Sequence, residues 1–373
     1  MIAVVWPCRG LALSRFGPET YNRADGREGS GNERQSMIQT ALKTVEAGGD
    51  LSMEQMAASM GHIMDGAGDE PQIARLLAAL HRKGETVAEV AGAATAMRQR
   101  MTPIRSTRSD LIDTCGTGGD GSNTFNISTA AALVTAAAGV PVAKHGNRGA
   151  TSRSGSADVL VVLGVHVEAD VSRVEACLEE LGICFCFAPL LHTAMKNVAA
   201  VRKQLGTPTI FNILGPLVNP ASAPFQLLGV GHSKLQPLLA EALLLLGVRR
   251  ALVVHGSDGL DEITLDGATS VIEVGDGRLQ KSQWQPADFG LAPAGRDTML
   301  VAGPEESAEQ IRAILAGRRG PSRDIVVANA AAALWLVGRS SSRRECVRQA
   351  AEAIDSGAAR ELLARLAERT NRA

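Results

Sequence analysis

The chain has 373 residues, with 38 basic and 39 acidic side chains, a formal net charge of −1 and 45% hydrophobic residues. Opposite charges are interspersed, so there is no basic field for a nucleic acid, and any polyanionic ligand must be neutralised locally. No apolar run is long and uninterrupted enough to span a bilayer, because the stretch 238–248 contains Glu241 and Gly247. The length favours two domains over one. The six cysteines, at 8, 115, 177, 184, 186 and 346, form no CxxC pair and read as reduced, mostly buried thiols of a cytoplasmic protein, with no zinc site. Cys184 and Cys186, either side of Phe185 on a short strand, are expected to point to opposite faces.

Residues 1–36 differ from the rest: Arg, Gly, Asn and Glu dominate 21–35 without periodicity, which reads as a disordered extension. The segment 2–6 is too short for a secretory signal, and Glu19, Asp25 and Glu28 count against an amphipathic targeting peptide. From 37 to 102 the pattern is helical. Ser52 caps a stretch with Met53, Met56, Ala57 and Met60. Glu70-Pro71 opens a second, with Ile73, Leu76, Leu77 and Leu80. Thr86 caps a third, with Val87, Val90, Ala91, Ala94 and Met97. The methionines are expected to fill core space.

After residue 103 strands and helices alternate, the pattern of a parallel sheet covered by helices. Strands are expected at 110–115, 140–144, 183–187, 226–230 and 251–255. Helices are expected at 130–138, 171–181, 193–205, 235–246 and 322–336, with two amphipathic helices closing the C-terminus.

The most informative run is DTCGTGGDGSNTFNIST at 113–129, a strand end followed by a glycine-rich turn and a helix start. Gly116, Gly118, Gly119 and Gly121 let amide groups converge on an anion, and Asn126, Ser128 and Thr129 stand at a helix N-terminus whose partial positive charge favours phosphate. The spacing matches neither GxxxxGK[ST] nor GxGxxG with an acidic ribose reader. The next strand delivers Lys144, His145, Asn147 and Arg148 together at its C-terminal end, where open α/β sheets bind ligands.

With KHGNR at 144–148, SGSADVL at 154–160, HTAMKNVAAVRKQLG at 192–206, TIFNILGPLVNPA at 209–221, HGSDGLDEIT at 255–264 and AIDSGAA at 353–359, the chain resembles the anthranilate phosphoribosyltransferase family, over residues 37–370 in the family's order. The resemblance implies a small N-terminal helical domain at 37–102, completed by helices near 193–206, and a larger α/β domain at 103–373 with a mainly parallel central sheet of the nucleoside phosphorylase/phosphoribosyltransferase type. It implies transfer of the phosphoribosyl group of phosphoribosyl pyrophosphate (PRPP) to the amine of anthranilate, in tryptophan biosynthesis, by a homodimer joined through the helical domain.

By that resemblance PRPP is cradled by Gly116, Thr117, Gly118, Gly119, Asp120, Thr124, Asn126, Ser128, Thr129 and Lys144. Two Mg²⁺ per subunit are implied, one on Ser128 and Glu262 and a second on Asp261 and Glu262; adjacent carboxylates on a loop suit hard cations that keep several waters. Anthranilate is implied to meet Gly116, His145, Asn147, Gly215, Pro216 and Arg202, whose planar fork suits a carboxylate. No residue stands out as a general base, and the aryl amine needs none, being neutral already. Thr193 stands where the family often has Pro, and Gly149 and Thr151 where it often has Ser, which bears on acceptor preference. Three rival readings remain at this point: transfer to another aromatic amine acid, a pyrimidine nucleoside phosphorylase-like activity, and a nucleic-acid-binding relative. The last would be expected to lose Lys144 or Asp261-Glu262.

Overall fold

The computed structural model describes residues 31–149 and 154–372, with side chains from residue 37. Most of the N-terminal extension therefore lies outside the described residues, as do Thr151 and Cys8. Four helices come first: α1 (Gly31–Glu46), α2 (Met53–Met64), α3 (Glu70–Lys83) and α4 (Val87–Arg98). The first corrects the expected boundary of the extension. Its helix reaches back to Gly31, across a segment whose composition carries no apolar period.

The predicted caps stop the other three helices from fraying. The Ser52 hydroxyl accepts from the Gln55 amide, and the Gln55 side chain returns to the Ser52 amide. Asp69 caps α3, with Pro71 in its first turn. Thr86 and Glu89 form a second reciprocal box at α4. Glu89 does more than cap. It is 0% exposed, accepts from the Leu51 amide at 3.0 Å and the Thr86 amide at 2.8 Å, and pairs with Lys83 at 3.0 Å, tying the start of α2 to α4.

Seven strands form one sheet: β1 (Ile112–Gly116), β2 (Val142–Gly146), β3 (Ile183–Phe187), β4 (Phe225–Gly229), β5 (Arg250–Gly256), β6 (Thr269–Gly275) and β7 (Arg278–Trp284). Their order is β3-β2-β1-β4-β5-β6-β7. The first five are parallel, in line with the alternating pattern, and β6 and β7 run antiparallel. This last hairpin was not anticipated, although Asp276-Gly277 signals it. Both residues take positive φ, 50° and 72°, as a two-residue hairpin turn requires. The helices Ser156–Val162 and Pro304–Leu315 are likewise additions.

The reading of Cys184 and Cys186 is wrong. Residues two apart on a strand share a face, and their sulfur atoms lie 3.8 Å apart, both buried.

One apolar cluster packs the helices Ile127–Ala137 (α5) and Pro321–Leu336 and the C-terminal pair against one side of the sheet. The other cluster runs from Ile38 through the bundle to Leu228 and Val253 on the sheet, bridged by the helix Leu235–Leu245. The helix Lys196–Leu205 packs on α2 and α3, and the Asn197 amide donates to the Met64 carbonyl at 2.7 Å. The bundle and the sheet thus share apolar contacts, so the ends of the strands are held against a wall of helices. Among the described residues no helix is long and apolar enough to cross a membrane.

Removing the Glu89 carboxylate leaves the Leu51 and Thr86 amides without their acceptor and takes one of three acceptors from the Lys83 ammonium, which keeps Asp50 and the Gly84 carbonyl. Glu89→Ala is therefore expected to cost about 2–4 kcal/mol in urea unfolding. A loss below about 0.5 kcal/mol, the usual range for surface substitutions, would show that the bundle does not depend on this link.

Candidate functional site

The sheet order creates the site. β1 has β2 on one side and β4 on the other, so chain segments leave its C-terminal end in opposite directions and a crevice opens there. The loop after β1 fills the rim of that crevice. Gly118, Gly119 and Gly121 all take positive φ, a conformation that lets consecutive amides face one side.

α5 then begins at Ile127 with Asn126 in the cap position, but the Asn126 side chain makes no capping bond. Its oxygen accepts from the Thr129 hydroxyl at 2.7 Å and its nitrogen donates to the Ser154 carbonyl at 2.9 Å. This corrects the capping expectation. The cap side chain is turned away from the first turn, whose amides are engaged elsewhere: the Asn126 amide donates to the Ser307 hydroxyl at 2.9 Å, the Ile127 amide to the Phe125 carbonyl at 2.8 Å, and the Ser128 amide to the Glu262 carboxylate. Asn126 and Ser128 line a cavity of about 270 Å³ with Gly116 to Asp120, Thr124 and Lys144. Thr129 is not on that lining; it is 1% exposed and braces Asn126 from behind.

Asp261 and Glu262 come from the loop after β5 and enter the same cavity. The Gly118 amide donates to Asp261 Oδ2 at 3.0 Å. The approach is so close that a Cβ on Gly116 would strike the Asp261 carboxylate, and one on Gly229 would strike the Asp261 backbone carbonyl. Burial, and next to it the Asp120 carboxylate, push the Asp261 carboxyl up to about 7. Burial and the neighbouring Asp261 push Glu262 well above the usual carboxylate range, with Lys144 opposing.

Acids crowded in this way are poorly compensated by the protein alone, which is the electrostatic signature of a cation site. Among the described residues no group of three His, Cys, Asp or Glu side chains is arranged to hold a metal by itself. A hard cation that keeps several waters needs few protein ligands, which suits the two adjacent carboxylates.

Lys144 is 4% exposed. Its ammonium donates to the Thr114 carbonyl and, at 3.2 Å, to the Ser128 hydroxyl. Burial lowers its pKa, while Asp113, Cys115, Glu262 and Asp261 act in the opposite direction. Asp113, wholly buried, accepts from the His145 amide at 3.1 Å and so fixes β2 against β1 at the cavity floor.

On the far side His145 and Asn147 also line the cavity. The His145 Nδ1 lies 3.0 Å from the Gly215 carbonyl and its Nε2 lies 3.1 Å from the Nε2 of His192. A carbonyl only accepts, so the neutral His145 carries its proton on Nδ1, and His192 donates from Nε2. Arg202, Gly215 and Pro216 are not on the lining of this cavity. Gly215 is linked to it through His145. Arg202 lies with its guanidinium carbon 5.4 Å from the centre of the Phe211 ring, and burial lowers its pKa.

Arg148, expected at the strand end with Lys144, His145 and Asn147, lines the cavity and pairs with Asp158 and Glu168 at 3.4 and 3.1 Å. One neighbour, His192, is not among the residues expected at the site. His192 opens HTAMKNVAAVRKQLG, and only the fold brings it to His145.

Burial, and next to it His192, lower the His145 pKa to about 3, and burial lowers that of His192 to about 4. Both rings are neutral in the folded chain near pH 7. The unfolded chain, with its imidazoles near 6.5, binds more protons over the interval below that value. The contribution of the pair to stability is therefore complete above pH 6.5 and is lost as pH falls toward the folded values. His192→Gln keeps an N–H donor and removes one of the two titrations. The melting-temperature advantage of the wild type over this variant is expected to shrink between about pH 7 and about pH 5; a gap that does not change with pH would contradict the assignment.

Residues 39–101 match the glycosyl transferase family, helical bundle domain, and residues 108–360 match the glycosyl transferase family, a/b domain. Anthranilate phosphoribosyltransferase of Rhodopirellula baltica is 52% identical over 328 residues, which is 88% of this chain and 96% of the relative. The crystal structure of the anthranilate phosphoribosyltransferase of Thermus thermophilus is 44% identical with a TM-score of 0.84, covering 89% of this chain and 99% of that one. The Saccharomyces cerevisiae enzyme in complex with PRPP and Mg is 28% identical with a TM-score of 0.82, covering 90% of this chain and 98% of its own.

Proposed function

The chain belongs to the glycosyl transferase family and, within it, to the anthranilate phosphoribosyltransferases, and from that membership we propose how its residues divide the reaction. The enzyme transfers the phosphoribosyl group of PRPP to the amine of anthranilate, giving N-(5-phosphoribosyl)anthranilate and diphosphate, in tryptophan biosynthesis. It uses Mg²⁺.

Breaking the C1–O bond of the ribose develops positive charge at the sugar and several negative charges on the departing diphosphate, so the site must chiefly offset that departing charge and position the amine. The glycine-rich loop from Gly116 to Asp120 and the side chains at the start of α5 bind the diphosphate. Asn126 and Thr124 orient it, and Thr129 holds Asn126. Lys144 supplies a buried positive charge through Ser128. Mg²⁺, when bound, would supply positive charge that offsets the diphosphate; Ser128 and Glu262 would hold one ion and Asp261 and Glu262 a second, two per subunit. The single observation that carries this reading is the half-buried Asp261-Glu262 pair facing a glycine loop and the start of α5 across one cavity.

The acceptor side runs from Gly116 and Asn147 past His145 to Gly215, Pro216 and Arg202. His145 contributes a fixed neutral wall, and Arg202, stacked on Phe211, meets the anthranilate carboxylate. No side chain serves as a general base, because the aryl amine is neutral at the outset and gives up its proton only as the C–N bond forms. The helical unit extends to about residue 102 with the 193–206 helix added, its outer face joins two subunits, and the enzyme works in the cytoplasm.

Incubation with PRPP, Mg²⁺ and a set of aminobenzoates tests the acceptor directly, with the ortho acid expected to be consumed fastest. Arg202→Ala is expected to raise the KM for anthranilate by about tenfold or more, with the KM for PRPP within about twofold, since it removes a carboxylate contact remote from the diphosphate. Equal effects on both substrates would remove Arg202 from the acceptor site.

A further inference from the structure

The metal-facing acids sit on an irregular connection, not on a strand. Between β5 and β6 the chain is held by short local bonds: the Gly256 amide to the Leu260 carbonyl at 2.9 Å, the Leu260 amide to Asp258 at 3.4 Å, and the Thr264 amide to the Thr269 hydroxyl at 3.0 Å. None of these reaches the peptide that follows Glu262. That peptide is gripped from another element. The Ile263 amide donates to the Asn329 side-chain oxygen at 2.9 Å, and the Asn329 nitrogen donates back to the Ile263 carbonyl at 3.0 Å. The second hydrogen of that nitrogen goes to the Ile325 carbonyl at 2.9 Å, one turn earlier in the helix Pro321–Leu336.

Asn329 is 0% exposed within a stretch of this helix, 325–334, that is otherwise Ala, Val, Ile and Leu. A buried amide in such a helix must have its groups satisfied. Here they are satisfied by both polar groups of one residue, which fixes which way the amide faces. Asn329, Glu262, Ser128 and Thr114 also line one small space directly behind the acids.

We propose that Asn329 is a positioning residue for the cation site: by clamping the Ile263 peptide it sets the direction in which the Asp261 and Glu262 carboxylates enter the cavity. The inference rests on the reading of those two acids as Mg²⁺ ligands. Asn329 itself touches neither substrate nor cation. No other residue type supplies the same pattern at this size. Leucine satisfies neither group of Ile263, and aspartate accepts from the Ile263 amide but turns an oxygen toward the two carbonyls.

The test is binding of Mn²⁺, standing in for Mg²⁺, in the presence of diphosphate, followed by electron paramagnetic resonance of the free ion. It is run on the wild type, Asn329→Asp and Asn329→Leu, with melting temperature recorded for each. Both variants are expected to bind Mn²⁺ about tenfold or more weakly, as is usual when a residue supporting metal ligands is lost, while the KM for anthranilate stays within about twofold. If Asn329→Leu fails to fold, Asn329→Asp, which keeps the shape, carries the test.

A folded variant with wild-type Mn²⁺ affinity overturns the proposal, and so does a rise in the anthranilate KM equal to the loss in Mn²⁺ affinity, which would signal general damage. The double variant Asp261→Ala with Glu262→Ala is the control. Undiminished Mn²⁺ binding there overturns the ligand assignment itself, a result distinguishable from failure of the Asn329 clamp alone.

Discussion

The structure depends on one close crossing. The backbone of Asp261 passes over Gly229 at the end of β4 while its carboxylate rests against Gly116 at the end of β1, and neither glycine leaves room for a Cβ. That crossing puts two acids from a distant loop into the mouth of the glycine-rich turn after β1. It also sets an electrostatic problem, because three half-buried acids, Asp120, Asp261 and Glu262, gather around one buried lysine. The protein contributes only a partial answer in Lys144 and the loop amides. The remaining charge is left for a hard cation and its phosphate ligand, so their binding relieves a repulsion that the fold itself carries.

The neighbouring elements can be understood as supports for this arrangement. The sheet order places β1 between β2 and β4, so the turn, the lysine and the acids approach the crevice from different directions. Asp113 locks β2 to β1 under the cavity. The Asn126 side chain, bonded sideways to Thr129 and Ser154, ties the start of α5 to the segment after β2. Across the cavity a neutral histidine pair joins β2 to the Gly215 turn and to the segment that precedes the helix Lys196–Leu205. The two sides of the cavity are thus built from separate contacts, one set charged and the other neutral.

Much of this was legible in the sequence. The parallel strands, the capped helices and the glycine turn follow from local patterns: period two against 3.6, Ser52 and Thr86 before apolar runs, and a turn no other residue type could make. The family resemblance supplied what spacing could not, above all that Asp261-Glu262 is more than a solvated turn. The misses have physical causes. β7 was overlooked because only one of its residues, Trp284, is buried, so it carries no core pattern, although Asp276-Gly277 marked the turn. The shared face of Cys184 and Cys186 follows from strand geometry and should have been read correctly. His192 was hidden because a partner 47 positions away leaves no trace in local sequence.

The central claim is that this enzyme cannot offset diphosphate charge without cations held by the paired acids. The most direct measurement is the rate of anthranilate consumption against Mg²⁺ concentration, for the wild type and for the double variant Asp261→Ala with Glu262→Ala, with folding checked by circular dichroism. The account predicts no turnover of the wild type in EDTA. It also predicts a loss in the variant on the order of 10²-fold or more in kcat/KM, with the fold retained. Full activity in EDTA, or an unchanged Mg²⁺ dependence in the double variant, would contradict it.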